Sequence, residues 1–79
     1  MNELMIISLI GEDDFAQLLI GLPDAFFGLH RPVQEELWRS ILVQVNRGVK
    51  EVSHLISFSR LWLELYQYEA SRGSGEHVY

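Results

Sequence analysis

Apolar positions recur with a helical period through about half of the chain, from Pro32 to Ser71. At about 100° per residue, Val33, Leu37, Ile41, Val45, Val49, Val52, Ile56, Leu63 and Ala70 fall on one side of a helical wheel. An unbroken helix of that span would be about 60 Å long, whereas a compact domain of this length has a radius of gyration near 12 Å. A continuous rod therefore requires an intertwined dimer, and a compact subunit requires a break. Asn46-Arg47-Gly48 supplies a stop signature, because glycine adopts the left-handed cap conformation at little cost. The apolar phase does not slip there: Val45, Val49, Val52 and Ile56 stay within about 60° of one another. Size decides for the break, and the pattern predicts two helices, 33–46 and 49–70.

Upstream the signals are shorter. Residues 3–10, ELMIISLI, are apolar without a clear period, and a lone strand would have nothing to pair with, so a helix is expected. After Gly11, Glu12, Asp13 and Asp14 sit where acids stabilise the start of a helix, and Phe15, Leu18, Leu19 and Leu22 have the spacing of a buried stripe. A helix over 12–22 follows, ended by Pro23. Asp24 to Gly28 reads as a single turn with Asp24 as cap and Gly28 as stop, and Pro32 suits the first turn of the next helix. Ser71-Arg72-Gly73-Ser74-Gly75 breaks helicity, which predicts one domain over 1–71 and a disordered tail over 72–79. The expectation is an all-α bundle of three main helices with an extra N-terminal helix.

From Leu55 to Tyr68 the apolar residues widen round nearly the whole helix, leaving only Ser57, Arg60, Glu64 and Gln67 as a polar strip. Composition sharpens that point. A chain of 79 residues buries only about 60% of its unfolded surface, and 48% of its residues are hydrophobic, including two Trp, four Phe and three Tyr. There is no cysteine, so neither disulfides nor thiolate-bound zinc can staple the fold. Part of the apolar load is expected to be covered by another chain, a second copy or another protein, which makes a homodimer the expected state.

The formal charge of −5 and the dispersal of the basic residues from Arg31 to Arg72 disfavour nucleic acid as a partner. The run Leu4–Ile10 is short, lacks a basic leader and is followed by acids rather than a cleavage site, so it does not read as an export signal. With no run near the roughly 20 apolar residues of a membrane span, the expected location is cytoplasmic.

Sites for chemistry are sparse. Glu51-Val52-Ser53-His54 has the Glu-x-x-His spacing that places two ligands on one face of a bundle helix, but the further inward carboxylates of such centres are missing. The serines lack a nucleophile elbow, His30 sits in a loop near Asp24, His77 lies in the tail, and Gly21, Gly28 and Gly48 are isolated rather than forming a phosphate loop. No residue set nominates an enzyme, a cofactor, a metal or a small-molecule ligand.

From Val49, the order apolar Val52, small Ser53, apolar Ile56, small Ser57, apolar Phe58, then Leu63 and Tyr66, resembles the helix-turn-helix pattern of DNA-binding regulators. The resemblance covers residues 49–69 and implies a recognition helix starting near Ser59. Its groove-facing positions would be Ser59, Arg60, Leu61, Trp62, Glu64, Leu65 and Tyr68, a set with one arginine beside a glutamate, and Ser57 stands where glycine is usual. The favoured reading is instead a regulatory or inhibitory protein-binding module, with Trp38, Phe58, Leu61, Trp62, Leu65, Tyr66 and Tyr68 as its interface.

Overall fold

The computed structural model describes residues 2–76, with side-chain surroundings for 2–72. These residues form five helices and no strand: α1 (Asn2–Ile10), α2 (Glu12–Gly21), α3 (Asp24–Phe27), α4 (Arg31–Asn46) and α5 (Val52–Glu76). The all-α architecture expected from the pattern is present, and the apolar 3–10 segment is helical. A helix satisfies its own backbone, which a solitary strand could not. α1 packs on α4 and α2, while α5 packs on α2 and α4.

The joints follow from local chemistry. Glu12, Asp13 and Asp14 occupy the first turn of α2, where carboxylates favour the positive helix end in the absence of a side-chain cap. Pro23, not Asp24, takes the capping position of α3, because its fixed φ fits the extended conformation required there. Gly28 closes α3 with an ordinary φ of −91°, so no left-handed residue is used. The α3 end is served instead by Gln34, whose Nε2 donates to the carbonyls of Phe26 (3.2 Å) and Leu29 (3.1 Å) and lies 3.4 Å from that of Phe27.

The break at Gly48 is real. Gly48 has φ +106°, its N–H donates to the Val45 carbonyl, and the Val49 N–H donates to the Gln44 carbonyl. Those two bonds constitute a Schellman cap, which closes the end of α4. Lys50 Nζ donates to the Val45 carbonyl at 3.2 Å and adds positive charge at that helix end. The chain re-enters helix at Val52 rather than at residue 49, three residues being needed to turn the corner.

The core is built by Ile6 of α1, Phe15 and Leu18 of α2, Leu22, Phe26 of α3, five residues of α4 (Leu37, Trp38, Ile41, Leu42, Val45) and Leu55 and Leu63 of α5. Trp38 lies among them, stacked on Phe15 (centroids 5.4 Å apart) and edge-on to Phe26 (5.6 Å). Among the described residues Ser59 is the one polar side chain inside, and its hydroxyl donates to the Leu55 carbonyl at 2.8 Å. α2 and α5 meet closely at Gly21, where an added Cβ would lie 2.4 Å from Ile56 Cδ1, and the Gly21 carbonyl also lies 3.4 Å from Arg60 Nη2.

The alternative geometry for α5 is not found, and the helix predicted over 49–70 has shifted bounds. The helix runs without a turn through Ser57, and Ser59 is fully buried, so the helix-turn-helix geometry over 49–69 does not form. A turn at Ser57 would have broken a ladder that serine, unlike glycine, has no strong reason to leave. At its other end α5 is helical to Glu76, beyond the expected bound at residue 70. Once a helix is nucleated each added residue gains a hydrogen bond, against a cost of about 1 kcal/mol for a glycine. The remainder of the expected tail, 77–79, lies outside the described residues.

Candidate functional site

Among the residues whose surroundings are described, Leu63 is the last buried one of α5, and residues 64–76 carry the helix on for about 20 Å at 1.5 Å per residue. The molecule is correspondingly elongated, 47 × 23 × 22 Å, with a radius of gyration of 13.7 Å. Two stripes share the helix. Val52, Leu55, Ile56, Ser59 and Leu63 turn inward to α2 and α4. On the far side Leu61, Leu65 and Tyr68 stand 55%, 56% and 58% exposed, large fractions for side chains of this size.

Between the stripes, Phe58, Trp62 and Tyr66 are half-buried. Trp62 and Tyr66 stack one turn apart, centroids 5.7 Å and planes within 6° of parallel, so the indole is held rigid at the edge of the outer face. At the distal end the Arg72 guanidinium lies 5.8 Å from the Tyr68 ring. The opposite flank is polar: Ser57, Arg60, Glu64 and Gln67, all exposed.

Six of the seven residues expected at an interface lie on α5, Leu61, Leu65 and Tyr68 on its outer face and Phe58, Trp62 and Tyr66 half-buried between that face and the inward stripe. Trp38 is the exception. At 4% exposure it belongs to the core, because α2 and α3 bring Phe15 and Phe26 against its ring, and it is withdrawn from the site. A second outward apolar group lies on α1, where Leu4, Met5 and Leu9 are exposed. The sequence signalled it only through the lack of any polar face in that segment, which leaves no side for water.

A cleft of about 240 Å³ opens beside Pro23 and Ala25, bounded by Arg60, Leu63, Glu64 and Gln67 of α5. It is small for a cofactor site and brings together only one acid and one base. Glu51 precedes α5, and both it and His54 are exposed rather than turned into the bundle. Among the described residues no three His, Cys, Asp or Glu side chains converge as metal ligands. No helix among them is long and apolar enough to cross a membrane.

Compared with known protein families, curated proteins and solved structures, the chain matches none.

Proposed function

We propose that this chain is a small protein-interaction module, regulatory or inhibitory in effect, that binds another polypeptide through the outer face of α5. The observation that supports the reading is the continuous strip of Leu61, Leu65 and Tyr68, edged by the stacked Trp62 and Tyr66, on a helix that outruns its own core. Aromatic and aliphatic anchors of this type concentrate the binding energy of protein interfaces, and the ordered stack reduces the entropy lost on docking. The net charge of −5 argues against phosphate-rich partners. The module works by covering a surface rather than by catalysis.

The test is affinity capture from the native host with wild type and with Leu61→Glu and Leu65→Glu as baits, followed by binding of the purified captured protein. A partner retained at high salt by the wild type and lost by both variants is expected, since an apolar contact is insensitive to ionic strength. Binding that collapses as salt rises, or that both variants retain, would refute the reading.

A further inference from the structure

We infer that Gly11 is a hinge at which α1 and α2 join into one continuous helix, and that in the joined form α1 leaves its own α4 and seats on α4 of a second copy. The two helices are separated by this one residue. Its backbone lies at φ 94° and ψ 161°, a region that essentially only glycine occupies. On both sides of it the helical ladder is already in place: the Gly11 N–H donates to the Ile7 carbonyl at 2.8 Å, and the Phe15 N–H donates to the Gly11 carbonyl at 3.1 Å. Between those two bonds stand the orphan groups of two helix ends, the N–H groups of Glu12, Asp13 and Asp14 and the carbonyls of Ser8, Leu9 and Ile10. No side chain caps the start of α2. Rotation at Gly11 into the right-handed helical region would pair the three donors with the three acceptors.

A joined helix cannot keep α1 where it is. α1 is held by Ile6, fully buried, and by Ile7 and Ile10, packed against the core. Straightening lifts these side chains off α4 and α2 and uncovers the apolar surface beneath them. The same seat on a second straightened copy takes them, so a reciprocal exchange restores the contacts of α1 and keeps the new bonds at both joints. The outer face of α5 takes no part. Two features hold the wild type folded back: glycine is a poor helix residue, and the exchange brings Glu12, Asp13 and Asp14 of both copies together where the joined helices pass. Space is not the obstacle, since a Cβ added at Gly11 would meet nothing within 4 Å. Alanine at this position therefore acts on the backbone equilibrium alone.

Sedimentation of the full chain in about 0.3 M salt, where the acids are screened, compares wild type with Gly11→Ala from micromolar to near-millimolar concentration. The alanine chain is expected to pair where the wild type is single, with association tighter by on the order of 100-fold, roughly tenfold for each of the two joints. Amide exchange then reads the joint itself. The N–H groups of Glu12, Asp13 and Asp14 are expected to exchange freely in the wild-type monomer and slowly in the Gly11→Ala dimer. A chain with two further glycines inserted after Gly11, too flexible to continue the helix, is expected to keep its helical circular dichroism and stay single. A Gly11→Ala chain that remains single or fails to fold overturns the inference, because the joined form gives alanine a helical place. An inserted chain that pairs as readily as Gly11→Ala overturns it too. So does a Gly11→Ala dimer whose 12–14 amides exchange as fast as in the wild type, since such a pair meets by some other face.

Discussion

A single amide, that of Gln34, closes the α3 end, with its donor directed at the backbone carbonyls of residues 26, 27 and 29. Gln34→Ala is expected to cost about 1 kcal/mol in urea denaturation, the net worth of such bonds at a partly exposed site. Gln34→Glu is expected to cost more at neutral pH, because a carboxylate would face carbonyl oxygens. Those oxygens disfavour its ionised form and raise its folded pKa above the unfolded value. The penalty is therefore absent below the unfolded pKa, where the protonated acid donates, and grows as pH rises through the folded one. Denaturation at acidic and neutral pH checks the sign. Residue roles are also where sequence reading was weakest. Trp38 and Trp62 both sit in apolar helical stretches, and only the arrival of Phe15 and Phe26 from other helices separates a core indole from one at an interface edge.

At the scale of elements, punctuation was legible: Pro23, Pro32 and Gly48 fall where helices end or begin. Gly48→Ala is expected to destabilise by about 1–2 kcal/mol, the cost of a Cβ in the left-handed region, and thermal denaturation measures it. α5 was legible in register but not in roles. Counting apolar residues round it reveals an excess, yet dividing them into an inward and an outward stripe requires knowing which side α2 and α4 occupy. The two halves of α5 should differ in protection. In dilute protein, amide exchange is expected to be slow over 52–63 and faster over 64–72, where no residue is fully buried. Uniform protection along α5 at the lowest concentrations would contradict that division.

Across the whole molecule, the stability available to so small a core is of order 5–15 kcal/mol at most, so each central side chain matters. Ile41, fully buried on α4, is expected to cost about 2–5 kcal/mol when replaced by alanine, enough to leave a measurable unfolded fraction at ambient temperature by circular dichroism. The apolar excess over what this chain can hide was readable from composition alone. Its location was not, because burial is a property of how helices from distant segments meet. The close meeting of α2 and α5 at Gly21 limits how the sequence can vary. Position 21 has room only for a hydrogen atom while isoleucine stands at 56, so the two sites form a volume-exchange pair. Gly21→Ala alone should lower the melting temperature, and Ile56→Val or Ile56→Ala beside it should restore part of the loss. A side chain at 21 therefore calls for a smaller one at 56, whereas a smaller residue at 56 places no demand on Gly21.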